Sequence, residues 1–547
     1  MSFQIHIRNY HTCECSSAMN GKDVLSKADI DGGSHIVAWR VNSYLRPLGW
    51  VVDDEAEVEF VDTSSFEGME VYRRSLSFSL VLAAQRALGK NVTIKHSISD
   101  GYYWELPDGD LTEEEVLRIN KALRDLVNRD VPITREVVPL DKARRIFERQ
   151  GNPESARLFM WAAEDPVELY RCEDNYGFYY APLAPSTGYL RVFELKYFPP
   201  GMVLQFPTVS YPDRLPPFRA SKKLSGVFLD YAKWLEILGL KTMDSFHAKI
   251  AQGKGLELVL ISEAFHSQRL SRIAEDIALR EKTKVIVIAG PSGSGKTTTA
   301  KRLKIQLQVC GLNPTVISLD NYFVDRERTP LDEQGNYDFE VLEAIDLDLL
   351  ESQLAKLLKG EEVRVPEFDF IKGKKFPGAT LRLNKHDVLI IEGIHGLNEK
   401  VTAVVPEEMK FGIFVSPLTG INLDEHNRTS TTDNRLLRRM IRDYRTRGHS
   451  AERTLDLWPS VIKGAREYIF PYQSSAVAMF NSSLPYELAV LKGYAQPLLQ
   501  TVPESSSMHG EARRLLSMLK FVPPLSSENV PSNSILREFI GGGCYEH

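Results

Sequence analysis

The chain has little cysteine. Its five cysteines in 547 residues are too few and too scattered for a disulfide framework. Cys13 and Cys15 form a C-x-C, but no second pair or histidine cluster completes a zinc site. A reducing cytoplasm is therefore the simplest expected compartment. No apolar run is long enough to span a bilayer, so no membrane partner is expected, and the polar stretch at residues 1–11 does not read as a signal peptide. No tandem repeat is evident. Neither sign of charge dominates: 67 basic against 73 acidic residues leave a net −6, which excludes a global nucleic-acid footprint. The contents of 43% hydrophobic and 26% charged residues are ordinary for a soluble globular protein. The length accommodates roughly three or four domains.

What is present is organised around residues 284–300, KVIVIAGPSGSGKTTTA. The aliphatic, β-branched run at 285–289 predicts a strand buried on both faces. It ends in Gly290 and continues as G-x-x-x-x-G-K-T through Ser292, Gly293, Ser294, Gly295, Lys296 and Thr297, with Thr298 opening a helix. Glycines let backbone N–H groups turn inward around a polyphosphate. Lys296 brings a charge to the outer phosphates, and the Thr297 hydroxyl can hold Mg²⁺. The helix dipole points at the same anion. The segment predicts a site for ATP or GTP, with ATP the expected nucleotide.

The residues after this loop supply the parts of a phosphoryl-transfer site. A strand at 315–319 carries Asp320, Asn321, Tyr322 and Phe323 at its carboxyl edge, where ligands sit in open parallel sheets. Asp320 is the candidate general base, and Tyr322 is placed with it on the acceptor side. A helix is predicted over 344–359, and a basic loop over 372–375. A strand over 388–394 places Glu392 where a carboxylate would hold Mg²⁺ with Thr297. A fourth strand is predicted at 410–415. Residues 433–448, DNRLLRRMIRDYRTRG, form a basic helix with Arg435, Arg438, Arg442 and Arg445 on one face and Arg439 and Arg447 flanking it. Such a helix would fold arginines over transferring phosphates.

These motifs together resemble the uridine kinase and phosphoribulokinase family of P-loop kinases. The matching segments are GPSGSGKT (290–297), SLDNYF (318–323), NYDFE (336–340), PEFDF (366–370), IIEGI (390–394) and RRMIRDYRTRG (438–448). The resemblance implies that Asp320 takes the proton of a ribose 5′-hydroxyl. It implies that Asp338 and Tyr337 bind sugar hydroxyls, that Phe368 flanks the base, and that Arg439, Arg442 and Arg447 contact phosphates. Lys296 and Arg442 then join Asp320 as catalytic residues. Three departures bear on the acceptor. The pyrimidine-reading histidine of the family falls near Gly373 here, the usual tyrosine of its motif is Phe368, and the second lid arginine is His449. A longer segment, 419–434, also precedes the lid helix.

The front of the chain carries a second resemblance. Residues 41–61 are similar to the end of a TGS domain, the ubiquitin-like module at the front of threonyl-tRNA synthetases. The helix opening at 72–78, the turn and strand at 98–106 and the segment GFYYAPLAPSTG (177–188) resemble the synthetase editing domain that follows it. That domain's hydrolytic site uses an H-x-x-x-H and a C-x-x-x-H. Arg74, Phe78, Tyr179 and Leu183 stand at those positions, and none is a neutral nitrogen or thiolate ligand. Editing hydrolysis is therefore not expected. His96, near an Asp-Gly turn, reads as structural.

The expected fold is α/β: a P-loop NTPase with a doubly wound parallel sheet, preceded by a ubiquitin-like TGS domain and an α+β synthetase-editing-like domain. The expected boundaries are 1–63 (TGS-like), 64–225 (editing-like), 226–283 (helical bridge, with a short strand at 256–261), 284–500 (kinase-like) and 501–547 (tail, with helices near 511–519 and 534–543). This layout resembles bacterial long-form nucleoside kinases. The leading reading is an ATP- and Mg²⁺-dependent kinase acting on a nucleoside. One alternative is an RNA-associated, ATP-binding regulator whose front half contacts RNA. Another is a sugar-phosphate kinase of phosphoribulokinase type, which Lys372, Lys374 and Lys375 keep open. Scaffolding, homo-oligomerisation and regulatory ligand binding are further roles for the front half.

Overall fold

Val285–Ala289 and its neighbour Asp387–Glu392 are buried along their whole length, and Lys410–Ser416 is buried from Phe411 onward. Burial on both faces is why these runs are continuously aliphatic. With Asn313–Ser318 and Ala478–Asn481 at the edges they form a five-stranded parallel sheet. Its order is 313–318, 387–392, 285–289, 410–416, 478–481. The chain leaves 285–289 towards one edge and 387–392 towards the other, so a crevice opens at their carboxyl ends. The register aligns that edge: Glu392 pairs with both Ile288 and Ser318. This is a doubly wound parallel α/β sheet, with residues 290–297 following its central strand.

The computed structural model describes residues 3–10, 12–30, 35–161, 165–219, 222–332 and 335–545. It forms two compact units. One comprises the chain up to Gly253 with Gly420–Ser430 and Gln496–Pro523; the other comprises Lys254–Thr419, Thr431–Ala495 and the residues from Pro524 onward. The bridge expected over 226–283 is shared out: Lys222–Ile237 and Met243–Ala251 fall in the first unit and Gly255–Ala278 in the second.

In the first unit, Thr12–Cys15, Phe3–Ile7, Ala56–Asp62, Ile36–Val41 and Tyr44–Pro47 lie side by side in a mixed sheet. Asn42 and Ser43, with φ of +48° and +68°, make the tight hairpin between the last two. The helix Phe66–Leu88 starts at a Ser65 cap and stops at Gly89, whose φ is +65°. Beyond it are a four-stranded sheet (Glu194–Phe198, Gly201–Gln205, Gly101–Glu105, Thr93–Ile98) and a three-stranded one (Ile133–Val138, Val167–Cys172, Asn175–Gly177). Residues 420–430 are stitched into this unit. Asn422 Nδ2 donates to Ile94 O at 2.8 Å, Ile94 N donates to Glu425 O at 2.9 Å, and Asn427 Nδ2 donates to Phe178 O at 2.8 Å. The Glu425 carboxylate accepts the N–H groups of Glu154 and Ser155, each at 3.1 Å.

Three expectations are corrected. Residues 256–261 are not a strand but part of the 24-residue helix Gly255–Ala278. Leu258, Val259, Ser262, Glu263, His266 and Leu270 are buried at helical spacing, so the longer period outweighs the local apolar run. The helix expected over 344–359 begins at Leu347, because the Asp346 side chain accepts Leu349 N–H at 3.2 Å and fixes the start. The basic loop 372–375 is the turn and second arm of a hairpin, Val363–Asp369 with Lys374–Leu381. The late helices are His509–Leu519 and Arg537–Ile540, the latter stopping at Gly541 with φ +85°. Among the described residues, no helix is long and apolar enough to cross a membrane.

Candidate functional site

The site lies in the second unit, and its loop is fitted closely to the sheet. A Cβ on Gly290 would stand 2.1 Å from Val415 O, and one on Gly293 would stand 2.7 Å from Arg435 O. Gly293 and Gly295 adopt φ of +78° and +82°. Only glycine meets both demands without strain. Lys296 and Thr297 are half-buried at the start of the helix Lys296–Val309, while Ser294 and Thr298 are fully buried. Burial pushes the Lys296 pKa down, and the charges of Glu392 and Asp320 oppose that shift.

Thr297 and Glu392 meet as the motif spacing predicts: Thr297 Oγ1 donates to Glu392 Oε1 at 3.2 Å. Ser318 Oγ donates to the same oxygen at 2.9 Å. Glu392 is buried, and its pKa is pushed up to about 7 by burial and by the charge of Asp320, against Lys296 and Ser318. A buried carboxylate beside two hydroxyls offers the oxygen donors that a hard cation takes, and such a cation would bring phosphate oxygens with it. The residues therefore fit Mg²⁺, which Thr297 and Glu392 would hold.

The arginine face divides by task. Arg438 is fully buried and forms an ion pair with Glu487; its Nε donates to Glu487 Oε2 at 3.1 Å and its Nη2 to Ser482 O at 2.8 Å. Arg435 Nε donates to Ser292 O at 2.9 Å, and its guanidinium lies 5.4 Å from the Trp458 ring centre. Burial lowers the Arg435 pKa to about 9. These two arginines brace the phosphate loop from the helix Thr431–Arg447. Arg439, Arg442 and Arg447 instead gather on buried Asp443. Arg439 Nε donates to its Oδ2 at 3.2 Å, Arg442 Nη2 lies 2.7 Å from Oδ1, and Arg447 Nη1 lies 3.6 Å from Oδ1. Burial alone would raise the Asp443 pKa, but Arg442, Arg447 and Arg439 hold it below the usual carboxylate range. Arg439 Nη1 also donates to Ser292 Oγ at 3.0 Å.

On the acceptor side, half-buried Asp320 lies on the single turn Leu319–Tyr322, with its N–H donating to Ser318 Oγ at 3.3 Å. Its charge acts on Lys296, Glu392, Arg442 and Arg447. Asp338 is half-buried and Tyr337 exposed. Two predicted acceptor residues are placed in the core instead. Tyr322 is 1% exposed, with its phenol donating to Gln353 Oε1 at 2.7 Å. Phe368 is 6% exposed and packs on Phe323 and Phe370. Phe370 is 43% exposed, with the Arg447 guanidinium 5.4 Å from its ring centre. Gly373 has φ +67°, and a Cβ there would meet Arg326 Cβ at 2.7 Å, so Arg326 fills the space beside it.

Four residues of this site were missed from sequence. Ser318 and Asp443 left traces: one stands two residues before Asp320, the other four from both Arg439 and Arg447. Glu340 follows Asp338 in NYDFE and stands 3.8 Å from Arg439. Glu538, whose carboxylate accepts Thr298 N–H, left no trace.

In the first unit, the four positions of the synthetase hydrolytic site are packed. Phe78, Tyr179 and Leu183 belong to one hydrophobic core, with the Phe78 and Tyr179 rings 5.7 Å apart. Arg74 Nη1 donates to Pro182 O at 2.7 Å. His96 is buried and stacks on Phe228 at 4.2 Å, with its pKa pushed down to about 3 by burial. Among the described residues, no cluster of three or more His, Cys, Asp or Glu side chains could hold a metal.

Residues 285–487 match the family model described as Phosphoribulokinase / Uridine kinase family. A uridine kinase from Chlamydia pneumoniae is 30% identical over 183 residues, 34% of this chain and 74% of that protein. One from Staphylococcus aureus (strain JH9) is 31% identical over 181 residues, 33% of this chain and 78% of that protein. The front part is similar to threonine–tRNA ligases. That of Rubrobacter xylanophilus is 33% identical over 162 residues, 29% of this chain but only 25% of the ligase. The chain thus spans about a quarter of the length of those ligases.

Proposed function

The chain belongs to the phosphoribulokinase/uridine kinase family, and from that premise we propose that it phosphorylates the 5′-hydroxyl of a nucleoside, with ATP as donor. The observation that carries the reading is the meeting of Lys296, Thr297, Glu392 and Asp320 at one sheet edge, opposite the arginines gathered on Asp443. In this reading, the loop N–H groups and Lys296 bind the polyphosphate. Thr297 and Glu392 hold Mg²⁺, which when bound neutralises charge on the phosphate oxygens. Asp320 orients the acceptor hydroxyl and takes its proton. Asp338 and Tyr337 hold the sugar. Arg439, Arg442 and Arg447 stabilise charge on the transferring phosphoryl group.

Two observations favour a nucleoside over a sugar phosphate. The three lysines that would receive a second phosphate each face a carboxylate: Lys372 faces Asp369 at 3.5 Å, Lys374 faces Glu327 at 3.8 Å, and Lys375 pairs with Asp346. Within the 366–370 segment the exposed ring is that of Phe370, which replaces Phe368 as the surface against which a base would stack. With Gly373 where the pyrimidine-reading histidine is expected, the base preference need not be uracil.

The test is turnover with ATP, Mg²⁺ and a panel of nucleosides and sugar phosphates. A nucleoside should stimulate ADP release, and Asp320→Asn should lower kcat by about 10²–10⁴-fold while ATP still binds. Full turnover by that variant, or stimulation only by sugar phosphates, would reject the reading.

A further inference from the structure

The phosphate loop already faces an anion of its own chain. Glu538 lies 240 residues after Thr298, yet its Oε2 accepts the Thr298 backbone N–H at 3.0 Å. Thr298 is in the first turn of Lys296–Val309, among the N–H groups that would cradle a polyphosphate. The charge of the same carboxylate acts on Lys296 and Arg442. Glu538 is 7% exposed.

The backbone beneath this carboxylate is fixed. Arg445 Nη2 donates to Glu538 O at 2.9 Å and Arg445 Nε to Phe539 O at 3.3 Å. Phe539 lies under the Arg438 guanidinium, 5.0 Å from its ring centre. Ile535 closes on Gly295, where a Cβ would meet Ile535 Cγ2 at 2.6 Å. Ser534, Ile535, Leu536 and Phe539 are fully buried. Lifting the segment off would expose this core, whereas turning one glutamate side chain would not.

To the loop, a carboxylate that accepts a backbone N–H and whose charge acts on a lysine and an arginine resembles a phosphate. Two anions cannot share the Thr298 N–H. We propose that Glu538 is an intramolecular stand-in for a nucleotide phosphate. It satisfies the loop while the site is empty and swings aside when nucleotide enters, so it sets nucleotide affinity downward. This rests on the reading of residues 290–298 as a nucleotide site. A glutamate that merely caps the helix would predict the opposite effect on binding, since its loss would disorder the loop.

Titration calorimetry of the full chain with Mg²⁺ and ADP separates the cases. Glu538→Gln should bind ADP about tenfold tighter, a gain of about 1.4 kcal/mol, and Lys296→Ala should bind it more weakly. Unchanged or weaker binding by a folded Glu538→Gln overturns the inference. If that variant does not fold, a crystal structure of the unaltered chain with ADP decides. Glu538 turned away from Thr298 N–H supports the inference, and Glu538 still bonded to it overturns it. If neither the unaltered chain nor Glu538→Gln binds ADP or ATP, the nucleotide reading fails and the inference falls with it.

Discussion

Two buried histidines give the fold its pH dependence. His96 in the first unit and His266 in the second are both pushed by burial from an ordinary 6.5 to about 3. Between those values the unfolded chain binds a proton at each and the folded chain does not, so stability falls as pH drops from 6.5 towards 3. Denaturant midpoints should therefore shift down across that window, and His96→Phe should flatten the slope for the unit that holds Phe228. If Arg442 stabilises transferred charge as proposed, Arg442→Ala should cost about 10²–10³ in kcat with little loss of stability; kinetics and thermal unfolding together check this. Residue types were legible where chemistry ties them to a local motif, as in Lys296, Thr297 and Glu392. They were not legible where the partner is remote. Phe368 and Phe370 both fit an aromatic wall by sequence, and only the pairing of the hairpin turns one inward.

The lid helix shows how one periodic pattern can serve two purposes. Arg435 and Arg438 were grouped with Arg442 on one face by spacing, yet they end in opposite roles. Arg438→Ala should destabilise the second unit by about 3–5 kcal/mol, because Glu487 is left buried without its partner. An earlier midpoint in thermal unfolding checks this. Asp443→Asn should keep the helix but loosen the three arginines it gathers, raising KM for ATP more than it lowers stability. Helical period identifies a face but not what the face meets. Here one half meets loop carbonyls and the other a single buried acid.

The order of motifs separates a front part from a back part, but no local signal marks where the chain leaves and re-enters each compact unit. A chain ending at residue 253 lacks Asn422, Glu425 and Asn427, which bond to Ile94, Ser155 and Phe178. It also lacks Phe521, whose ring lies 4.9 Å from Phe178. Such a fragment should be proteolysed much faster than the same residues in the full chain. No composition shift marks 420–430 as belonging elsewhere, since its partners lie hundreds of positions away. The same threading bears on biosynthesis. The closing piece of the first unit is 496–523, so that unit waits on a stretch made after most of the second unit. A nascent chain stalled well past residue 254 but before residue 496 would carry two open cores at once and be a natural client for chaperones.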